Sequence, residues 1–468
     1  MLRLPEVGRW LFLGTLVYAP WAYGGTTPQS IKVLDILLGI SLGLWIVELV
    51  VRRRKPPIPV ALGIVILAIL VLGWCMALNA RAVFDEHFEI FLLLSKHFEW
   101  APSSVDRALS IAWMERATML IGCVAFVTDL CRRDRWLLRL WITLAATGAS
   151  IALLGLLQKA SGAVMPFWEY RPWEFSSFFA TYYYHANAGA FLNLVLPPTI
   201  GLALRALSKA QAGVEKGIWF AATLLILIAI AVNTSRMAQA LGLLVIILMA
   251  AGPARRRLWW VITTNRMTTG FAVVIAATVV FAIAQASHID KPIQRWRSQS
   301  HDLIQNERWL VDRIALEALP AAGFFGFGPG TFRAVFPRYL ERTSGERPGG
   351  IWTYLHQDYL QTLLEWGWIG TLLWAILLIG GIATGLRALR IMQKRRIRNR
   401  WRLALPLSLI ALSSAVLHGL VDFPFQIYSI QLYTAVYLGI CWASARAQFG
   451  SVPARLPTER ISPELREH

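Results

Sequence analysis

Apolar runs of about twenty residues recur along this chain and restrict its fold more than any other feature. A helix needs about this length to cross the hydrocarbon core of a bilayer. The runs lie at residues 9–24, 31–51, 58–78, 108–130, 136–157, 186–206, 217–234, 237–252, 268–287, 356–386, 403–419 and 426–446. The first contains Pro20 and also suits a signal peptide, but no small-residue cleavage pattern follows it, so we expect a membrane helix.

Composition agrees with a membrane protein. The 468 residues are 56% hydrophobic and only 16% charged, whereas soluble domains carry about a quarter charged residues. We therefore predict an all-α integral membrane protein with about 12 transmembrane helices and one large periplasmic loop. Its parts are helices 1–9 over residues 1–287, the loop over 288–355, helices 10–12 over 356–446, and a disordered cytoplasmic tail over 447–468.

The net charge is +19, and the positions of the basic residues along the chain indicate the membrane topology. Basic clusters follow apolar runs 2, 4, 6, 8 and 10, so a cytoplasmic N-terminus places each of them on the cytoplasmic side, as the positive-inside rule requires. They lie at Arg52–Lys55, Arg132–Arg135, Arg205–Lys216, Arg255–Arg257 and Arg387–Arg402. This pattern predicts a multi-pass membrane protein whose cytoplasmic face contacts anionic lipid head groups. It argues against nucleic acid as a partner, because no basic-aromatic binding module is visible.

Metal and cofactor patterns are missing from the sequence. The four cysteines lie within or at the ends of predicted helices and show neither a disulfide framework nor metal-ligand spacing. On the outer side there is no Asp-x-Asp, and Asp302, Glu307, Asp312 and Glu317 are spaced five apart, which spreads them around a helix. We expect no metal and no other cofactor.

The sequence pattern of the loop 288–355 predicts a helix followed by a bend. Apolar residues recur near helical spacing from Asp302 to Leu319, which predicts an amphipathic helix that Pro320 ends. The glycine-rich segment 323–330 follows. It lacks the Lys-Ser/Thr ending of a phosphate loop, so we predict a tight bend and no nucleotide cradle.

Two arginines stand out on the predicted outer face. Arg236 follows Asn233-Thr234-Ser235 between two apolar runs, and Arg308 lies on the amphipathic helix. A guanidinium fork binds phosphate oxygens in two-point fashion better than a lysine does. Structural alternatives remain for both: an interfacial anchor for Arg236, and an i,i+4 pair with Asp312 for Arg308.

His356 is the candidate catalytic base. It lies at or just before the first turn of the tenth helix, where the helix dipole favours a neutral imidazole able to accept a proton. A capping or interfacial histidine is the structural alternative. Candidate supporting residues are His185, Asp358, His418 and Asp422. The last two mark another outer turn, and structural capping is at least an equal explanation for them.

These residues resemble the O-antigen ligase and O-antigen polymerase superfamily of membrane glycosyltransferases. His356-Gln357 followed after nine residues by Gly367-Trp368-Ile369-Gly370 is similar to the outer-loop histidine signature of that family. Ser235-Arg236 and Glu307-Arg308-Trp309 are similar to its two arginine motifs, and the segment 320–332 is also typical. The resemblance covers most of the membrane region.

The resemblance implies a GT-C-like enzyme that moves a glycan from undecaprenyl pyrophosphate to an acceptor hydroxyl at the periplasmic face. Transfer would be inverting and metal-independent, with Arg236 and Arg308 binding the pyrophosphate and His356 activating or positioning the acceptor. In a ligase the acceptor is lipid A-core, and in an O-antigen or exopolysaccharide polymerase it is a lipid-linked repeat unit. The motifs leave this choice open.

Two other classes fit the helices less well. A transporter of lipid-linked or small molecules should show mid-membrane polar residues and repeat symmetry, whereas polarity here lies at the outer edge. A haem-handling protein could use outer histidines and the 21 tryptophans, but these are scattered and form no haem-loop signature.

Overall fold

The computed structural model describes residues 4–85, 87–88, 90–169, 177–207, 213–255, 290–297, 307–342, 348–349, 352–394 and 401–447. Most of these residues are helical. The helices are α1 (Leu4–Trp21), α2 (Pro28–Val51), α3 (Val60–Leu78), α4 (Arg107–Leu130), α5 (Asp134–Ala160), α6 (His185–Ala206), α7 (Gly213–Val232), α8 (Arg236–Ala251), α9 (Asp290–Arg297), α10 (Glu307–Ala322), α11 (Phe332–Arg342), α12 (Asp358–Lys394), α13 (Trp401–His418) and α14 (Tyr428–Ala447).

The helices follow the apolar runs closely. Each predicted run except 268–287, which lies outside the described residues, coincides with one of these helices. Within the described ranges, 8 helices are long and apolar enough to cross a membrane, and α8 is a shorter apolar helix. The structure therefore supports a helical membrane fold, and the number twelve stays a prediction.

Helix α6 lies at the centre of the bundle. Of its most apolar stretch 94% is buried, against 28% for α7 and 22% for α12. It packs against α5, α7, α8 and α13. Pro197 and Pro198 lie within α6, where each removes one backbone hydrogen bond. Tight packing by neighbouring helices is what makes such breaks tolerable in a membrane helix.

A short β-hairpin is an addition to the all-α prediction. Strands β1 (Ala82–Asp85) and β2 (Ile90–Leu93) pair antiparallel, with Phe84 opposite Phe91. Aromatic and β-branched residues suit strands. The two strands have only four residues each, so they are too short to appear among apolar runs of about twenty residues. The hairpin lies between α3 and α4.

The segment 307–342, which contains α10 and α11 and which we call the outer segment, packs on the beginning of α12. Buried side chains of α10 and α11 form one apolar cluster with residues next to and within α12; its members are Val311, Ile314, Ala315, Ala318, Ala322, Phe332, Phe336, Leu355 and Leu364. The amphipathic helix was predicted correctly in kind, but α10 continues to Ala322, and residues 302–306 lie outside the described ranges. The prediction that Pro320 ends the helix is wrong. Proline removes only its own N–H bond, and α10 ends before Gly323, whose φ is +60°. Helices α9 and α11 were not predicted.

The glycine-rich segment is the tight bend that the sequence predicted. Gly326 has a φ of +80°, and it faces a kink of α12 at Gly367, whose φ is +59°. A Cβ atom on Gly326 would collide with the carbonyl oxygen of Glu365, and one on Gly367 with that of Phe324. Only glycine permits both the backbone angles and this approach. The bend is thereby locked against α12 at Gly367, about three helical turns beyond His356.

Candidate active site at the start of α12

Asp358 fixes the turn between α13 and α14 to the beginning of α12. Its buried carboxylate accepts hydrogen bonds from the Phe425 N–H at 2.8 Å and from Gln426 Nε2 at 3.0 Å. Its own N–H donates to the Gly419 carbonyl at 3.0 Å. A carboxylate that accepts two donors and is itself anchored by its backbone holds a turn in one conformation. Asp358, a predicted supporting residue, therefore acts on the position of Asp422 within this turn.

His356 and Asp422 form a hydrogen-bonded pair. The distance from His356 Nδ1 to Asp422 Oδ1 is 3.0 Å, and Oδ1 also accepts the Phe423 N–H at 3.0 Å. A carboxylate accepts only, so Nδ1 carries the proton when the ring is neutral, and Nε2 is left as the basic nitrogen. The His356 side chain is 17% exposed. The pair thus presents one basic nitrogen at an otherwise buried site.

The charge of Asp422 is stabilised by its neighbours. Burial by itself raises the pKa of this carboxyl, but the hydrogen bond from His356 and the positive charges of His356 and Arg308 outweigh it and lower the pKa to about 2. Asp422 is therefore ionised at neutral pH. A fixed negative charge beside Nδ1 stabilises an imidazolium once Nε2 has taken a proton.

Three aromatic rings orient the imidazole of His356. The ring centroids of Phe423, Trp352 and Tyr184 lie 4.8, 5.4 and 5.9 Å from that of His356, all edge-on. Tyr184 in turn stacks on Phe423 at 5.5 Å, with an angle of 9° between the planes. This packing and the bond to Asp422 together leave the ring one orientation.

Arg308 reaches from α10 into the same group of residues. Its Nη2 donates to the Tyr184 hydroxyl at 2.6 Å, and its Nη1 donates to the Val421 carbonyl at 3.2 Å. Asp422 Oδ2 lies 3.9 Å away. Burial disfavours the charged guanidinium, but Tyr184 and Asp422 more than compensate and raise the pKa of Arg308. The charge of Asp312, the predicted i+4 partner, adds to this rise. The arginine is 35% exposed and stays cationic.

Tyr184 is the residue that sequence reasoning missed. Its hydroxyl accepts from Arg308 and donates to Asp422 Oδ2 at 3.1 Å, so it links the arginine to the carboxylate of the histidine pair. Burial and the nearby Asp422 raise the pKa of this phenol, which keeps the proton in place. The sequence shows three successive tyrosines here. Tyr182 bonds to Ser429 and Tyr183 stacks on Tyr23, and nothing in the sequence separates these roles.

His185 and His418 lie beside this group of residues. The Nδ1 of His185 lies 3.0 Å from the Ser177 carbonyl, and its ring packs 4.9 Å from that of Tyr184. His418 ends α13, and its carbonyl accepts the Asp422 N–H at 3.1 Å. The His418 ring is buried, and neither of its nitrogens has a hydrogen-bond partner among the described residues. Both predicted supporting histidines therefore lie next to the cluster.

Arg236 is the first residue of α8 and lies at the same end of the bundle. Ser235 caps this helix by accepting the Ala238 N–H at 3.3 Å. The side chain of Asn233 donates to the His185 carbonyl at 2.9 Å and accepts the Ser235 N–H at 2.8 Å. The turn that carries Arg236 is therefore attached to the beginning of α6, next to Tyr184. The structure brings Arg308, His356 and Asp422 into one cluster, and joins Arg236 to it through the first residues of α6.

Glu365 is a second residue that the sequence did not single out. This buried carboxylate accepts the N–H groups of Gly330 and Phe332, each at 3.1 Å, and the side chain of Gln361 at 3.1 Å. It thereby satisfies the backbone donors of the glycine-rich bend. Its task is to hold the outer segment, which carries Arg308, on α12.

Fold and site together define a multi-pass helical membrane protein with a histidine–carboxylate pair and an arginine at one end of the bundle. Residues 221–375 match the family model described as O-antigen ligase. This match supports the resemblance of residues 221–375 to the O-antigen ligase superfamily. No curated protein matches the chain. Arg236, Arg308 and His356 lie within the matched residues, whereas Tyr184 and Asp422 lie outside them.

The family match indicates glycosyltransferase-like activity of the ligase or polymerase type. It also implies lipid-linked glycan and membrane lipid as substrates.

Proposed function

We propose that this protein transfers a glycan from undecaprenyl pyrophosphate to an acceptor hydroxyl at the periplasmic face of the inner membrane. The supporting observation is the hydrogen-bonded chain from Arg308 through Tyr184 to Asp422 and on to His356. In this proposal Arg308 is the cation for the leaving group and His356 is the base for the nucleophile, and the chain links the two. The family match is the second support.

His356 acts as general base in this proposal. Nε2 takes the proton of the acceptor hydroxyl while the oxygen attacks the anomeric carbon, and Asp422 stabilises the resulting imidazolium. The new C–O bond forms on the face opposite the breaking bond, which inverts the anomeric centre. Undecaprenyl pyrophosphate leaves with the electron pair of the broken bond. Such base catalysis contributes roughly 10²–10⁴-fold in rate.

Arg308 and Arg236 stabilise the negative charge that grows on the departing pyrophosphate. Guanidinium groups at fixed positions do this without a metal ion, since they supply both charge and directed N–H donors. Arg308 is partly exposed at the mouth of the cluster, so a phosphate group can approach it from the outer surface.

Lipid A-core is the acceptor that we propose, as in an O-antigen ligase. A polymerase acting on a lipid-linked repeat unit is the alternative, because the family match covers both types of activity. The two differ in product: one glycan joined to lipid A-core, or lengthening chains that remain on undecaprenyl pyrophosphate.

Reconstituted transfer tests the proposal directly. Purified protein in proteoliposomes receives lipid-linked glycan with either lipid A-core or a second lipid-linked unit, and products are separated by gel and mass. We expect His356→Ala to abolish transfer while the protein still inserts and binds donor, and Arg236→Lys and Arg308→Lys to retain only part of the activity. Full activity of His356→Ala would exclude the mechanism.

A further inference from the structure

A second polar site lies at the opposite end of the bundle. A cavity of about 280 Å³ opens where α2 and α4 end and α5 begins, close to the first turns of α1; it is lined by Arg9, Arg54, Asp129, Leu130, Arg132 and Arg133. Helix α1 runs from Arg9 at this cavity to Pro20, whose carbonyl accepts the Thr181 hydroxyl at 2.6 Å just before α6, so the cavity and the beginning of α6 lie at opposite ends of the bundle. The volume approaches the smallest ligand sites, about 300 Å³. We call it the arginine cavity.

Positive charge exceeds negative charge in and around the arginine cavity. Glu48 and Asp129 are its carboxylates, and each is shared between two arginines. The ion pairs are Arg9–Glu48 at 2.7 Å, Arg52–Glu48 at 3.5 Å, Arg54–Asp129 at 2.6 Å and Arg132–Asp129 at 4.0 Å. Arg133 adds a further cation to the lining. The carboxylates therefore cannot neutralise the site.

Arg9 has an unused donor inside the protein. Its side chain is only 5% exposed, and Nη2 bonds to Glu48, but the buried Nη1 has no hydrogen-bond partner among the described residues. The buried Nε of Arg54 is in the same situation. Leaving a buried donor unpaired destabilises the folded protein, and more so when the group is charged. An acceptor atom in the cavity would remove that destabilisation.

Arg133 lies close to several other positive charges. Burial and, next, the charge of Arg9 lower the pKa of its guanidinium, and Arg135 and Arg52 add to the effect. Arg133 also directly precedes α5, a helix of 27 residues whose N-terminal N–H groups carry partial positive charge. A bound anion would relieve both repulsions at once.

We propose that the arginine cavity binds a phosphate group, held by Arg9 Nη1 and by the guanidinium forks of Arg132 and Arg133. Phosphate fits better than a carboxylate, because several forks from different directions match its tetrahedral oxygens and its charge. The phosphate can come from the head group of an anionic phospholipid or from a soluble phosphate or pyrophosphate ion. The site does not depend on the chemistry proposed for His356.

Thermal unfolding of the full-length protein in detergent tests this site. One arm adds sodium phosphate or pyrophosphate against sodium chloride at equal ionic strength, and the other adds phosphatidylglycerol against phosphatidylcholine. The test variant is Arg132→Gln with Arg133→Gln. The matched control is Arg53→Gln with Lys55→Gln, because these exposed residues lie on the same face, outside the cavity lining, and the same charge is lost.

We expect one of the two anions to raise the unfolding temperature of the wild type and the control. Loss of charge-assisted hydrogen bonds should weaken its apparent affinity roughly 10–100-fold in the test variant. Stabilisation by the soluble ions alone identifies a free phosphate, and stabilisation by phosphatidylglycerol alone identifies a lipid head group. The proposal is overturned if neither anion stabilises the protein beyond its counterpart, or if both variants lose affinity equally.

Discussion

Replacing Asp422 with asparagine keeps the shape of the site and removes its central charge. The carboxylate bonds to His356, Tyr184 and the Phe423 N–H, and asparagine retains an oxygen able to accept from part of this set. What it cannot retain is the negative charge next to Nδ1 of His356. It can also donate to Nδ1, which would turn the proton-bearing nitrogen toward the acceptor.

The pKa of Asp422 gives the magnitude. Its fall from 3.8 to about 2 means that the hydrogen bond from His356 and the charges of His356, Arg308 and His418 together stabilise the carboxylate by at least roughly 2 kcal/mol, since they also overcome the opposing effect of burial. The imidazolium formed during transfer is stabilised by the His356–Asp422 part of this interaction. Losing the share that belongs to His356 should lower kcat by up to about thirty-fold, and a reversed tautomer should deepen the loss toward 10⁴-fold.

The assay is glycan transfer at saturating donor and acceptor in proteoliposomes. Glu317→Gln serves as the control, because it removes one exposed carboxylate from α10 in the same outer segment. We expect Asp422→Asn to insert normally and to lose kcat, with the control equal to wild type. If Asp422→Asn retained kcat within about two-fold, the histidine–carboxylate pair would have no part in catalysis.

Three further predictions follow from the same contacts. Tyr184→Phe removes the hydroxyl between Arg308 and Asp422 and should reduce kcat/KM by about 2–12-fold, whereas Tyr183→Phe should leave transfer rates unchanged; equal rates for both would remove Tyr184 from the site. Gly326→Ala combines a positive φ with a backbone collision, so we expect no monodisperse folded protein on size-exclusion chromatography. Gly323→Ala has the same backbone strain but open space around its Cβ, and it should fold. If both variants folded, the packing at the bend would be contradicted. Because the pKa of Asp422 is lowered to about 2, its stabilisation is complete above about pH 4 and is lost as the pH falls toward 2. The unfolding temperature of the wild type should thus fall more steeply across that interval than that of Asp422→Asn, and parallel curves would contradict it.

The membrane helices were the part of the fold that local sequence could supply. A run of about twenty apolar residues has few stable alternatives in a bilayer, where every backbone polar group must be satisfied within the segment. The end of α10 shows the limit of such reasoning, since Pro320 lies inside the helix and only the packed bend at Gly323 ends it. The hairpin β1–β2 was missed because four-residue strands become stable only when paired.

The sequence by itself determined the apolar spans, the basic clusters and the identity of Arg236, Arg308 and His356 as unusual residues, because these are properties of single segments. Tertiary structure alone decided which of them meet. His356 bonds to a carboxylate 66 residues away, and Arg308 bonds to a tyrosine 124 residues away. Such pairs cannot be predicted from local sequence patterns, because only helix packing brings the two residues together. Burial then makes their charges interdependent.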